Sequence, residues 1–449
     1  MRIGIVGMLV PSIAAFCTAP IVAHTLGVTG RGEAAAATAP LLLAAAVLTL
    51  GLPDALTYFI SQRHPTPGRL LGRSASVVSL VGLIGTLLLV LLAPALSGGS
   101  QDITALIQVA ALFLTPALLV SLLRGVAAGR QQWGRVALET SIGQLFRLAV
   151  LAALAIFGGL TVTTVTLATA GATFIGAVAY LGMPLRKEES GSRGPGDGPS
   201  AHHPLPQRTP LLRYGAGVWF GSVSGILFLQ LDQVLMTPLS STYQLGLYVA
   251  AVALSQTVTI LTNPVRAVLF SAESRNPDMA RLTSVSRQTG IATLAAAAVI
   301  AAATPFILPI LFGADFAGAV PIVFILLTAT VVGTSGSIAG MGLSARGRPG
   351  ARSLSLLAGF LVNLVLVLLL VGPFGGIGAA WATFAGSLTI SMVNVAQLRY
   401  YFNVPMAAFF VLHRSDFDAL ATIVRQWIPV RGQRRRRSGA VAPHSASEN

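Results

Sequence analysis

Charged side chains are scarce in this sequence. Only 10% of its 449 residues are Asp, Glu, Lys or Arg, and 54% are hydrophobic, whereas a soluble domain carries about 25% charged residues. This shortage excludes a chain that folds mainly in water. Most of the chain is therefore expected to lie in lipid.

Cysteine and histidine are scarce as well. Cys17 is the only cysteine, so a disulfide within the chain is impossible. The six histidines are scattered, and the pair His202-His203 has no further ligands beside it, so we expect no metal site. A G-x-x-x-x-G-K-[ST] phosphate loop is missing too, so the chain is not expected to hydrolyse ATP. No cofactor is predicted.

Long apolar runs are abundant instead. A bilayer needs about 20 apolar residues per helix, and a helix satisfies its backbone hydrogen bonds internally. The predicted spans cover residues 3–26, 34–60, 70–96, 103–126, 140–157, 160–183, 214–236, 245–270, 289–312, 319–344, 353–371 and 377–398. They lack the alternation of polar and apolar residues that is typical of membrane barrels. We therefore predict an all-α integral membrane protein with twelve transmembrane helices.

Arginines follow every second span, and they predict the orientation because Lys and Arg near helix ends stay cytoplasmic. They are Arg63, Arg69, Arg73, Arg124, Arg130, Arg135, Arg186, Arg193, Arg208, Arg213, Arg275, Arg281, Arg287, Arg346, Arg348 and Arg352, with Lys187. The opposite loops contain only Arg31, so both termini are predicted to be cytoplasmic. These outer loops are short and hold no acidic or histidine cluster, which argues against an enzyme.

The net charge of +15 has two possible explanations. A basic protein can bind nucleic acid, but these arginines lie in short loops beside the membrane rather than on one soluble face. We therefore expect contact with anionic lipids at the cytoplasmic face and no nucleic-acid partner.

Composition divides the chain into four segments. Residues 1–183 and 214–399 are predicted to form two six-helix bundles. Residues 184–213 are rich in Pro, Gly, Ser and charge, which predicts a flexible cytoplasmic linker. Residues 400–449 are predicted to form an amphipathic and polybasic cytoplasmic tail. Its apolar positions are Phe410, Phe417, Leu420, Val424 and Trp427, and its basic cluster is Arg434 to Arg437.

Short motifs recur in the same order in the two halves. The matches are Gly32-x-x-x-Ala36 with Gly246-x-x-x-Ala250, Gly129-Arg130-x-x-x-Gly134 with Ala345-Arg346-x-x-x-Gly350, and Phe157-Gly158-Gly159 with Phe374-Gly375-Gly376. Each half has an even number of spans, so both halves have the same orientation. We predict a pseudo-two-fold axis along the membrane normal and a central cavity between the halves.

Three stretches resemble patterns of a known family. They are Leu231-Asp232-Gln233-Val234-Leu235, Leu245-Gly246-Leu247-Tyr248-Val249-Ala250-Ala251 and Gly375-Gly376-Ile377-Gly378-Ala379-Ala380-Trp381-Ala382-Thr383. From residue 3 to residue 401 the chain resembles Wzx-type polysaccharide flippases of the multidrug/oligosaccharidyl-lipid/polysaccharide (MOP) exporter superfamily. It departs from them after Leu26-Gly27, where the family often has a proline and an aromatic residue.

The resemblance implies a bacterial cytoplasmic membrane protein that flips polyprenyl-diphosphate-linked oligosaccharide to the outer leaflet by alternating access. The process served would be cell-surface polysaccharide biosynthesis, with its enzymes as further partners. Two alternatives stay open. One is an ion-coupled exporter of drugs or small solutes from the same superfamily. The other is a membrane scaffold that does not transport and recruits cell-wall enzymes.

Polar residues inside the spans are candidates for substrate binding, because a charge in hydrocarbon is costly. Arg147 lies about 10 Å into predicted span 5 and is expected to face the cavity. Arg266 lies near the inner end of span 8, where snorkelling to the headgroups is an equal alternative. Asn363 occupies a position in span 11 where the resemblance implies a polar residue. Inward-facing guanidinium groups would bind a diphosphate through paired hydrogen bonds.

Two carboxylates are candidates for coupling transport to a proton or a sodium ion. Asp232 is one turn from the outer end of predicted span 7, where a structural ion pair or an interfacial carboxylate is the alternative. Asp54 follows Pro53 near the inner end of span 2, and a structural role beside a proline kink is its alternative. No catalytic residue is assigned.

Overall fold

The computed structural model describes residues 2–61, 67–183, 208–411, 413 and 416. Within these residues the chain forms helices and no β-strand, which confirms the predicted all-α class. The α-helices are Arg2–Val47, Leu52–Ser61, Pro67–Leu96, Gln101–Ala111, Leu114–Gly129, Trp133–Ile156, Val162–Gly176, Arg208–Leu239, Thr242–Ser255, Thr259–Arg275, Met279–Phe312, Val320–Ala345 and Pro349–Phe402. Short 3-10 helices are Ala177–Tyr180, Gln256–Val258, Ala314–Ala319 and Met406–Phe409.

The described helices account for twelve membrane spans. Nine stretches are long and apolar enough to cross a membrane. Two of these nine, Val10–Val47 and Pro349–Phe402, contain two spans each, because the backbone leaves the helical region at Gly27 and at Gly375. Thr242–Ser255 and Thr259–Arg275 together supply the remaining span. We number the spans 1 to 12 in chain order, and the predicted pair of six-helix bundles is confirmed.

Several helices are longer than predicted. We call the end of the bundle with the arginine-rich loops the inner end and the opposite end the outer end. At the inner end, span 5 begins at Trp133 rather than at 140, span 9 begins at Met279 rather than at 289, and span 12 continues to Phe402 rather than to 398. A hydropathy scan ends a span at its first charged residues, whereas these two helices continue through Arg135 and Arg281.

The repeated motifs occupy equivalent places in the two halves. Gly158 and Gly375, in the two Phe-Gly-Gly motifs, have positive φ angles of 72° and 54° in the turns before spans 6 and 12. Glycine adopts this conformation without the steric cost that other residues incur. Arg130 and Arg346 are the C-terminal caps of spans 4 and 10. The sequence repeat is therefore a structural repeat.

The third repeated motif lies where the two halves meet. A Cβ atom on Gly32 of span 2 would lie 1.8 Å from the carbonyl oxygen of Thr242, and one on Gly246 of span 8 would lie 2.1 Å from the carbonyl oxygen of Val28. Equivalent residues of two repeats meet only near the axis that relates them. The contact between Gly32 and Gly246 therefore marks the pseudo-two-fold axis at the outer end.

Other contacts join the halves at this outer end. One buried apolar cluster includes Ala23 and Val28 of the first half together with Tyr248 and Phe312 of the second. The His24 ring Nε2 lies 3.0 Å from the carbonyl oxygen of Ile310, which links spans 1 and 9. At the inner end, helix Thr259–Arg275 packs instead on spans 9 and 10 of its own half. The halves are thus closed against each other on the outer side.

Span 2 is interrupted halfway along its length. Leu50 and Gly51 have positive φ angles of 51° and 66°, and the helix resumes at Leu52 with Pro53 in its first turn. A proline suits the first turn because the amide donor that it lacks would be unpaired there. The kink that was expected at Pro53 therefore lies before this proline, at Leu50 and Gly51. Trp219 of span 7 donates its indole N–H to the carbonyl oxygen of Val47 at 2.5 Å, just before the interruption.

Buried ion pairs join the inner ends of neighbouring spans. The fully buried carboxylate of Glu273 accepts hydrogen bonds at 2.7 Å from Arg281 and from Arg346, which connects spans 8, 9 and 10. Glu139 forms a two-point pair with Arg124 that joins spans 4 and 5. Some arginines that the sequence assigned to lipid contact therefore have protein partners.

The first part of the tail folds back on span 9. Arg287 donates to the buried carboxylate of Asp416 at 2.7 Å and to the carbonyl oxygen of Ala408 at 2.6 Å. Most of the predicted linker, residues 184–207, lies outside the described residues. So does the remaining tail, with Phe417, Leu420, Val424, Trp427 and Arg434 to Arg437.

The outer contact between spans predicts the effect of a small substitution. Gly32→Ala should push span 2 away from Thr242 and reduce the free energy of unfolding by about 1–3 kcal/mol, because the site has no room for a methyl group. Thermal unfolding in detergent measures this loss. The matched control is Gly72→Ala, where a Cβ would meet nothing within 4 Å, and equal midpoints for the two variants would contradict the close approach.

The tail contact predicts a dependence on pH. The hydrogen bond from Arg287 lowers the pKa of Asp416 below its usual 3.8. A carboxyl group with a depressed folded pKa stabilises the folded state at neutral pH, and this contribution disappears as the pH falls through that pKa. Asp416→Asn should therefore speed amide hydrogen exchange at Ala408 and Phe410 at pH 7. The control Asp315→Asn, at the exposed outer end, should leave exchange at these two amides unchanged. Unchanged exchange in Asp416→Asn as well would argue against tail docking.

Candidate functional site

An acidic group lies inside the C-terminal bundle. Asp232 of span 7 is 3% exposed, and its Oδ2 accepts hydrogen bonds from the hydroxyl groups of Tyr248 in span 8 and Thr383 in span 12, the latter at 3.5 Å. The two hydroxyl groups are themselves 3.2 Å apart. One carboxylate and two hydroxyl oxygens from three spans form an oxygen-only set that suits a proton or a hard cation such as sodium.

Asp232 lies deeper than the sequence suggested. Span 7 continues to Leu239, so Asp232 is about 10 Å from the outer end of its helix rather than one turn. The carboxylate forms no ion pair with the described residues and is buried. These contacts fit neither a structural ion pair nor an interfacial carboxylate.

Asn363 belongs to this C-terminal group and not to the arginines. It is 1% exposed, and its side-chain nitrogen has no hydrogen-bond partner among the described residues. A Cβ atom on Gly386 would lie 3.0 Å from the Cβ of Asn363 and 2.4 Å from the ring of Phe228. Phe228 and Gly386 are each about one turn from Asp232 and Thr383. Asn363 therefore lies about one turn inward of the acidic group.

Arg147 lies deep in the N-terminal bundle. Because span 5 begins at Trp133, Arg147 is about 21 Å from the inner end of its helix rather than about 10 Å. Its Nε atom is buried and has no hydrogen-bond partner among the described residues. The side-chain oxygen of Gln144, one turn earlier, is also buried without a partner. Both polar groups are therefore available to a ligand.

Arg31 is a buried cation that the sequence placed in a loop. Helix Arg2–Val47 turns at Gly27 and resumes at once, so Arg31 lies inside span 2 and is 5% exposed. It donates to the carbonyl oxygen of Ala19 at 2.8 Å and to that of Val249 at 3.5 Å. Its guanidinium carbon lies 4.7 Å from the centre of the Phe312 ring. The sequence did contain a sign of this position. No proline follows Gly27 directly, so the next helix can begin at once and include Arg31.

The arginines of the two halves lie in different places. Ala34, three residues after Arg31, and Leu151, about one turn after Arg147, belong to one buried apolar cluster, so spans 2 and 5 pack together near these two arginines. Arg266 belongs to the second half and lies about 14 Å from Arg275, the inner end of span 8.

Asp54 stands apart from these groups. It is exposed and lies in the first turn of helix Leu52–Ser61, after the interruption of span 2. A carboxylate is stabilised there by the positive end of the helix dipole. This position gives Asp54 a structural explanation that does not involve an ion.

Residues 3–276 match the family model described as "Polysaccharide biosynthesis protein", which is more than half of the chain. Among curated protein sequences, none matches the chain significantly.

Solved structures with the same fold are found over nearly the whole chain. An inward-facing MATE-family multidrug transporter of the MOP superfamily matches with a TM-score of 0.70 and 13% identity, covering 90% of this chain and 98% of that one. The lipid II flippase MurJ, in an inward closed conformation, matches with a TM-score of 0.70 and 12% identity, covering 95% and 93%. The MATE transporter VcmN of Vibrio cholerae matches with a TM-score of 0.62 and 13% identity, covering 91% and 97%. At these identities the likeness shows the fold.

Proposed function

Because the chain belongs to the polysaccharide biosynthesis protein family of the MOP exporter superfamily, we propose that it flips polyprenyl-diphosphate-linked oligosaccharide across the membrane. The cargo would move from the cytoplasmic to the outer leaflet of the bacterial cytoplasmic membrane for cell-surface polysaccharide biosynthesis. Both termini would be cytoplasmic, with the arginine-rich loops against anionic lipids.

The observation that carries this proposal is Arg147, a half-buried arginine deep in the N-terminal bundle whose buried Nε has no hydrogen-bond partner among the described residues. An unpaired cation in the membrane interior is costly and favours an anionic ligand. Planar guanidinium groups bind phosphate oxygens with two parallel hydrogen bonds, and a diphosphate offers several such oxygens. Arg147 would repel a cationic solute, and it would bind a neutral solute less strongly than an anion.

The contacts between the halves support alternating access. Span 2 meets span 8 at the outer end, while the inner part of span 8 packs within its own half. A cargo headgroup would thus enter from the inner side, and the polyprenyl tail would stay in the bilayer. Arg266 and Arg352, nearer the inner end, would meet the diphosphate before Arg147 does.

The acidic group supplies a place for coupling to an ion gradient. Protonation of Asp232, or binding of sodium between Asp232, Tyr248 and Thr383, would neutralise a buried charge. We place Asn363 with this coupling group, and Asp54 is the weaker candidate. The same acidic group is the observation that favours the second candidate function, an ion-coupled exporter of small solutes.

Flipping assays test the role of Arg147. Arg147→Ala should abolish flipping of a fluorescent polyprenyl-diphosphate oligosaccharide in proteoliposomes, and Arg147→Lys should remain poor because it lacks the planar fork. Leu145→Ala, an exposed position on the same helix, is the matched control and should flip normally.

Normal flipping by Arg147→Ala would overturn the cationic binding site. If the unaltered protein inserts correctly but does not flip this cargo, the second candidate function or the scaffold alternative replaces the proposal.

Gradient dependence tests the role of Asp232. Asp232→Asn removes the titratable charge while keeping the shape, so transport should lose its response to an imposed proton or sodium gradient. Transport rates with and without each gradient measure this loss. Asp315→Asn should keep the response, and a normal response in Asp232→Asn would exclude Asp232 from coupling.

A further inference from the structure

We propose that the first half contains the counterpart of the acidic group, and that Arg147 supplies there the positive charge that a mobile ion supplies beside Asp232. Only the second half then binds a coupling ion, and the first half keeps a fixed charge. The coupling role of Asp232 rests on the proposed function.

The contact between Gly32 and Gly246 aligns the first two spans of each half. Asp232 precedes Gly246 by as many residues as Thr18 precedes Gly32. Thr18 is 0% exposed, as buried as Asp232. Buried residues also lie one turn before and after both positions, namely Ala14 and Val22 in span 1, and Phe228 and Met236 in span 7. Thr18 is therefore the counterpart of Asp232.

Close contacts at two further glycines align the last two spans of each half. A Cβ atom on Gly143 of span 5 would lie 2.7 Å from the carbonyl oxygen of Ala172 in span 6. A Cβ atom on Gly359 of span 11 would lie 2.8 Å from the carbonyl oxygen of Gly386 in span 12. The two contacts join equivalent spans, so they fix the register of one half on the other.

Arg147 is the counterpart of Asn363 in this register. Each lies about one turn after its glycine, on the same face of the helix. Each also has a buried side-chain nitrogen without a hydrogen-bond partner among the described residues. Thr169 and Thr383 lie about one turn before the partners of these glycines in spans 6 and 12, so the threonine hydroxyl is kept.

One buried apolar cluster shows that the four spans meet at this place in the first half. Its members are Val22, Ala34, Leu151, Val165 and Ala168, from spans 1, 2, 5 and 6. Ala34 follows Gly32 by as many residues as Tyr248 follows Gly246, so it is the counterpart of that tyrosine. The other members lie next to, or about one turn from, the counterparts of Asp232, Asn363 and Thr383.

The two equivalent places differ in charge. Asp232 supplies a carboxylate that a proton or a sodium ion can neutralise. Thr18 supplies only a hydroxyl group, which donates to the carbonyl oxygen of Ala14 at 2.7 Å, and Ala34 supplies no polar side chain. Arg147 brings a permanent positive charge, which repels a mobile cation. One ion per transport cycle follows from this difference.

An acid placed at Thr18 tests the counterpart. All variants carry Asp232→Asn in the full chain, so that the second half binds no ion, and their thermal unfolding in nanodiscs is compared with Asp232→Asn alone. Sodium chloride is exchanged for choline chloride at equal ionic strength, and pH 8 is compared with pH 6. Thr18→Asp should gain no response to sodium or pH, because Arg147 neutralises the new carboxylate.

The double variant Thr18→Asp with Arg147→Asn should gain such a response. Sodium or the lower pH should raise its unfolding midpoint by roughly 3 °C or more, because an ion now neutralises the acid. Arg31 contacts Val249 and Phe312 of the other half, so Thr18→Asp with Arg31→Leu should behave like Thr18→Asp.

A matched control keeps the test decisive if the double variant does not fold. Thr304 of span 9 is 0% exposed, and its hydroxyl donates to the carbonyl oxygen of Ile300 one turn earlier, as Thr18 does to Ala14. Thr304→Asp should lower the midpoint by roughly 5 °C or more through an unpaired buried charge. Thr18→Asp should lower it much less, and equal losses would exclude pairing with Arg147.

Three other results would overturn the proposal. They are a sodium or pH response in Thr18→Asp alone, no response in a folded double variant, and a response that appears only with Arg31→Leu. Failure of the proposed coupling is seen separately. If the unaltered protein shows no sodium or pH response that Asp232→Asn removes, Asp232 does not bind the coupling ion, whatever the Thr18 variants do.

Discussion

The rest of the architecture depends on the close approach of two helix backbones at Gly32 and Gly246. Helices in lipid gain little from burying apolar side chains, so small residues that allow tight backbone contact hold them together. This contact joins the halves at one end and lets each bundle keep its own core elsewhere.

The two kinds of charge are divided between the bundles. The buried cation Arg31 and the half-buried Arg147 belong to the first half, and the buried acid Asp232 belongs to the second. Among the described residues Asp232 forms no ion pair, and its carboxylate accepts hydrogen bonds from Tyr248 and Thr383 instead. Protonation of Asp232, or binding of an ion there, would affect the arginines of the first half through movement of one bundle against the other.

Much of this fold was predictable from the sequence, because hydropathy and arginine spacing report directly on lipid and helix ends. The repeats could also be found in the sequence, because turns with positive φ angles and close backbone contacts both require glycine. The positions of Arg31 and Asn363 were not predictable. Arg31 was not predictable because Gly27 alone makes the turn between spans 1 and 2, so the sequence shows no loop between them. Asn363 was not predictable because the face of span 11 that meets span 12 depends on packing between distant parts of the chain. Hydropathy likewise underestimated helices that continue into water, such as the one that begins at Trp133.

The glycine contact has a consequence for how such a chain could arise. A surface that touches its own repeat across a two-fold axis is self-complementary, which is the geometry of an isologous dimer. A single six-span bundle carrying this glycine surface would pair with a second copy of itself in the same orientation. The two halves can therefore be read as a fused dimer whose subunits later diverged, one retaining the cations and the other the acid.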